Sequence, residues 1–102
     1  MISVKNLVGK SGRALANEFV ITKNGVVFFQ SYETVIGKYK DRMLYLNKNY
    51  LGTNLDGSKA TIRNLYIFIR KHTHLYAYSK QEVLDCINDG RIKLISDKFL
   101  KY

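Results

Sequence analysis

Two histidines one residue apart, a single cysteine and a Gly-Lys-Ser triplet are the residues best suited to chemistry, and none has the company a reaction needs. Gly9-Lys10-Ser11 has the form of the tail of a phosphate-binding loop. That loop needs a glycine five positions before the second one, where this chain has Val4. His72-Thr73-His74 offers two imidazoles, but the remaining ligand types, Cys86 and scattered carboxylates, lack the spacing of a zinc site. His72 beside Arg70 and Lys71 reads instead as positive charge closing a helix C-terminus. Cys86 lies on an apolar arc, where it acts as a small hydrophobe. Glu18, Glu33, Asp41 and Asp56 are dispersed and read as surface charge, with no pairing that would support acid–base work. The expectation is a non-enzymatic protein with no catalytic residue, no metal and no cofactor.

Charge is the stronger signal. Seventeen Lys and Arg stand against eight Asp and Glu, a net charge of +9, which attracts polyanions in a salt-dependent manner. Three groups of cations have some geometry. Lys10 and Arg13 share a glycine-rich loop. Lys38-Tyr39-Lys40-Asp41-Arg42 crowds a hairpin tip, with an aromatic between cations. On a helix at 100° per residue, Lys59, Arg63 and Arg70 fall within about 40° of one another, with Lys71 on their flank. Such groups suit phosphate contacts supplemented by stacking on tyrosine. The plainer account is a solvated helix face and charged hairpin ends that discourage edge pairing.

The elements that must position these residues follow from local pattern. Residues 2–8 form a short first strand. Phe19-Val20-Ile21-Thr22 and Val26-Val27-Phe28-Phe29 flank Lys23-Asn24-Gly25, and Asn-Gly specifies a type I′ hairpin. Residues 33–39 and 43–46 continue a meander through a turn at Lys40-Asp41-Arg42, and residues 47–58 read as the longest loop. Residues 59–72 are ambiguous, because the run Leu65-Tyr66-Ile67-Phe68-Ile69 also suits a buried strand. A cap at Ser58 or Asp56 and the three- and four-residue steps of Ile62, Leu65, Tyr66 and Ile69 favour a helix. Ser79-Lys80-Gln81-Glu82 is a capping box, and Gly90 ends the helix it opens. Residues 91–96 return to the sheet. The fold class expected is α+β: an antiparallel meander of about four to six strands packed against two helices.

A chain of 102 residues, 46% apolar and without proline, suits one compact basic domain spanning 1–102. Its longest apolar runs, residues 26–29 and 65–69, are far short of the roughly 20 residues that cross a bilayer. The first residues lack the apolar stretch of a secretory signal, and one cysteine forms no intramolecular disulfide. A reducing cytoplasm is expected, with no membrane partner.

Ser11-Gly12-Arg13-Ala14-Leu15-Ala16-Asn17-Glu18-Phe19-Val20-Ile21, followed by Phe28-Phe29-Gln30-Ser31-Tyr32, resembles a family of small uncharacterised bacteriophage proteins. The similarity is strongest over residues 11–39, and weaker at Arg63-Asn64-Leu65-Tyr66 and the capped last helix. The resemblance implies a phage origin and an accessory role in the cytoplasm of an infected bacterial host. It supplies no functional residues. Arg13, Asn17, Gln30 and Tyr32 are expected to brace the hairpin as a side-chain network.

The function expected is binding of nucleic acid, or of a host nucleoprotein machine engaged in defence or transcription, through the basic residues named above. The alternative is an inhibitor or assembly module acting on an acidic or apolar patch of a host protein, anchored by tyrosines at 50, 76 and 78.

Overall fold

The computed structural model describes residues 2–100 as a six-stranded sheet with helices on one face. The strands are β1 (Ile2–Val8), β2 (Ala14–Lys23), β3 (Val26–Ser31), β4 (Thr34–Lys40), β5 (Met43–Asn47) and β6 (Ile92–Ile95), neighbours in chain order. Between β5 and β6 come α1 (Lys48–Leu51), α2 (Lys59–His72) and α3 (Lys80–Asp89). No described helix is long and apolar enough to cross a membrane.

Turn chemistry builds the meander. Lys23 pairs with Val26 across Asn24 and Gly25, at φ of 53° and 81°, the two positive values a type I′ turn requires. Asp41 and Arg42, at 51° and 65°, do the same between β4 and β5. At the other end of β3, the Tyr32 N–H donates to the Asn17 carbonyl (2.6 Å) and the Gln30 amide to the Tyr32 carbonyl (2.7 Å). The side-chain network expected of Arg13, Asn17, Gln30 and Tyr32 is thus replaced by bonds to main-chain carbonyls, and Arg13 lies apart in the exposed β1–β2 turn.

The class is α+β as expected, but the sheet is mixed: β1 to β5 are antiparallel, whereas β5 and β6 run parallel. A parallel neighbour needs a long crossover, and the whole helical segment serves as one. A third helix also departs from the expected two. Asn47 caps α1, its side-chain oxygen accepting from the N–H groups of Asn49 (3.0 Å) and Tyr50 (3.1 Å). The segment expected to be the longest loop thus holds a helical turn that buries Leu51, with Leu55 buried beyond it.

Val20, Phe29, Gly37 and Leu46 lie in one row across β2, β3, β4 and β5 on the face beneath the helices, and the three larger side chains are buried there. They join Leu65, Phe68 and Ile69 of α2 and Val83 and Cys86 of α3 in one buried cluster. Phe29 stacks on Phe68 at 5.5 Å between centroids. Strand alternation sends Phe28 and its neighbour Ile21 to the opposite face.

Helix α2 starts at Ser58, whose hydroxyl accepts from the Thr61 N–H, and α3 starts at Ser79, whose hydroxyl accepts from the Glu82 N–H (3.2 Å). Gly90, at φ 89°, ends α3 and lets the Arg91 N–H reach the Cys86 carbonyl (2.9 Å). Burial raises the Cys86 thiol pKa, keeping it protonated and unreactive.

Glu18 corrects the reading of dispersed surface carboxylates. It is 5% exposed, opposite Ser31 on the helix-facing side of β2. The Asn64 amide donates to its Oε1 at 2.7 Å, while its Oε2 and the buried Ser31 hydroxyl have no partner among the described residues. Asn64→Ala, which strips the buried Glu18 side chain of the Asn64 donor, is expected to cost about 2 kcal/mol. Glu18→Gln, which keeps an acceptor for Asn64 but removes the charge, is expected to match or exceed the parent in urea titration. A Glu18→Gln loss as large as that of Asn64→Ala would show that the charge itself stabilises.

Candidate nucleic-acid interface

Lys59 and Lys80 are the first residues of α2 and α3, and Arg63 stands one turn into α2. Their side chains line a groove of about 490 Å³ with Tyr66, over a floor from Leu55 and Ile62. Asp56 is the one carboxylate in that lining. It is turned toward Gly52, where a side-chain carbon on the glycine would lie 2.0 Å from Asp56 Oδ1. Among the described residues the one ion pair joins Arg91 to Asp89 at 2.7 Å, away from this groove. The three cations therefore outnumber the one carboxylate of the lining, and none of them forms an ion pair among the described residues.

The strip continues along α2. At about 1.5 Å per residue, Lys59 and Arg70 are about 16 Å apart along the axis. The Arg70 guanidinium sits 4.9 Å over the ring of Tyr78, a cation–π contact. After α2 the chain folds back along it, so that Tyr78 meets Arg70 while Lys80 reaches Arg63 and Tyr66.

The other sequence-derived groups lie apart from this strip. Lys10 and Arg13 are exposed in the β1–β2 turn. There the Gly9 N–H donates to the Arg13 carbonyl (2.8 Å) and the Gly12 N–H to the Gly9 carbonyl (3.1 Å), so these amides are spent within the loop. Lys38 and Tyr39, adjacent in sequence, point to opposite faces of β4. Lys38 stands opposite Phe28 and Tyr45, on the face away from the helices. Tyr39 packs against the core, and its hydroxyl hydrogen-bonds His74 Nδ1, so its ring braces the structure. Lys40 and Arg42 remain exposed at the hairpin tip.

Lys71 leaves the strip for the flank of α2, donating to the Val8 carbonyl at 2.9 Å. It lines a second cavity, of about 360 Å³, with Lys5 and His72. His72 is half-buried and stacked on Phe68 at 5.4 Å. Burial first, then the Lys71 charge, lowers its pKa below the ordinary imidazole value. The ring is thus neutral near pH 7, which corrects its reading as helix-end charge.

This shift has a stability consequence. The unfolded chain takes up the His72 proton near pH 6.5, whereas the folded protein resists it. The contribution is complete above that pH and declines as pH falls through the lower folded value. The thermal midpoint is expected to drop less between about pH 7.5 and 5.5 in His72→Phe than in the parent. Equal drops would assign the acid sensitivity elsewhere.

Lys80 escaped sequence reading, because its neighbours mark only a cap and its approach to Arg63 depends on the fold-back. Comparisons with protein-family models, curated proteins and solved structures found no match for this chain.

Proposed function

We propose that this chain is a non-enzymatic accessory protein that binds nucleic acid, free or within a host nucleoprotein machine, through Lys59, Arg63, Lys80 and Arg70. The observation that carries the reading is the gathering of three cations, in no ion pair among the described residues, around one groove, continued by a fourth along α2. Net charge spread evenly would give only solubility, whereas a strip aligns with a phosphate backbone. Lys10, Arg13, Lys40 and Arg42 supply secondary positive surface. The likeness of residues 11–39 to small bacteriophage proteins supports a setting in the cytoplasm of an infected bacterium.

The test is anisotropy titration against labelled duplex DNA, single-stranded DNA and RNA. With about four phosphate contacts, affinity is expected to fall about 100-fold between about 50 and 200 mM salt. Absence of binding at the lower salt removes the proposal. A host-protein complex that survives nuclease would replace it with the protein-binding alternative.

A further inference from the structure

A tyrosine at the end of the basic strip, Tyr76, is held outward by the chain that carries it. Residues 73–79 connect α2 to α3, and both ends are pinned. Thr73 closes α2, its hydroxyl donating to the Ile69 carbonyl (2.7 Å) and accepting from the Leu75 N–H (3.1 Å). His74 is fastened to the Tyr39 hydroxyl. At the far end the Tyr78 N–H donates to Glu82 Oε1 at 3.3 Å, and Ser79 caps α3.

Between these pins the side chains alternate. Leu75 and Ala77 are 3% and 0% exposed, so Tyr76 between them faces out, whereas Tyr78 beyond them is half-buried against the core. Tyr76 is 81% exposed, the highest value among the exposed large hydrophobic side chains. Its ring meets that of Tyr78 edge-on, with centroids 6.2 Å apart and planes at 71°. Arg70 covers part of Tyr78, which leaves Tyr76 as the open aromatic surface at the end of the cationic strip.

We infer that Tyr76 is a base-stacking platform and that the polyanion suited to this surface is single-stranded nucleic acid. This rests on the polyanion-binding reading above and narrows it. A duplex stacks its bases on one another and so leaves no base face open for an aromatic side chain. A single strand can lay its backbone along Lys59, Arg63, Lys80 and Arg70 while an unstacked base covers Tyr76. Because the pinned ends and inward Leu75 and Ala77 hold the ledge in place, little ordering remains to oppose binding. An aromatic face without sequence-reading groups predicts tolerance of base identity.

The experiment uses three fluorescein-labelled probes of equal length: oligodeoxythymidine, an abasic strand with the same phosphates, and the oligodeoxythymidine–oligodeoxyadenosine duplex. The thymidine strand is expected to bind tightest and to quench tyrosine fluorescence. Tyr76→Ala is expected to weaken it about 10-fold, to the level of the abasic strand, while Tyr76→Phe retains the preference. Circular dichroism and an unchanged thermal midpoint verify folding of both variants. Equal affinity for all three probes, unaltered by Tyr76→Ala, overturns the stacking inference and leaves the polyanion reading standing. Failure to bind any probe removes both. A nuclease-resistant host protein released by Tyr76→Ala, without base preference, assigns the ledge to protein docking and also overturns the inference.

Discussion

Charge reversal at Lys59, Arg63 and Lys80 together, each to glutamate, is expected to weaken nucleic-acid binding by about 100-fold or more at low salt. The salt dependence is expected to flatten by about 0.9 in slope for each phosphate contact removed. The fold is expected to survive, for a reason specific to these positions. Lys59 and Lys80 open α2 and α3, where backbone N–H groups already present partial positive charge. A cation there opposes the helix dipole, and glutamate complements it by about 0.3–1 kcal/mol per site. The lysines therefore work against the helices they begin, and their replacement is expected to raise the thermal midpoint while removing binding. No carboxylate pairs with any of the three, so reversal breaks no ion pair among the described residues. The control reverses Lys23, Lys48 and Lys93, exposed lysines outside the proposed interface, and alters net charge equally. If affinity follows only total charge, both triple variants weaken alike and the groove has no special role.

The features legible in the sequence are those governed by neighbours along the chain. Asn24-Gly25 dictates its hairpin because positive φ at both positions is a local demand, and Ser79 with Glu82 marks a helix start within a single turn. The ambiguity at residues 65–69 has a structural cause. Leu65, Ile67, Phe68 and Ile69 are all buried, so the helix shows no polar side over that stretch and its period is hidden. Features that depend on distant partners stayed hidden. The parallel pairing of β6 with β5 depends on where the helical crossover returns, and the burial of Glu18 depends on Asn64, 46 positions away. Site assignment divides in the same way. Arg63 and Arg70 share a helix face by spacing, whereas their neighbours Lys80 and Tyr78 arrive by fold-back. Lys38 and Tyr39 carry the opposite lesson: period-two alternation separates adjacent residues as surely as helical spacing unites distant ones.

Truncation of Phe68 to alanine is expected to have the largest effect on stability, a loss of about 3–5 kcal/mol in urea unfolding. The ring is fully buried at the centre of α2, stacked on Phe29 below and on His72 along its own helix. Removing it leaves a cavity against the Phe29 ring, which is itself fully buried and loses its stacking partner. Against a total stability of roughly 5–15 kcal/mol for a native domain, such a loss brings unfolding close to ambient conditions. Phe68→Leu, which retains most of the volume, is expected to cost less than about 1.5 kcal/mol. The stack on His72 provides an internal check. Without the ring, water reaches the imidazole and its pKa moves back toward the ordinary value, so Phe68→Ala is expected to lose part of the acid sensitivity together with stability. In the thermodynamic cycle with His72→Phe, the two changes are then expected to be non-additive, as for residues in contact. A Phe68→Ala loss below about 1 kcal/mol, with an unaltered pH profile, would mean that the ring does not bridge sheet and helix as described.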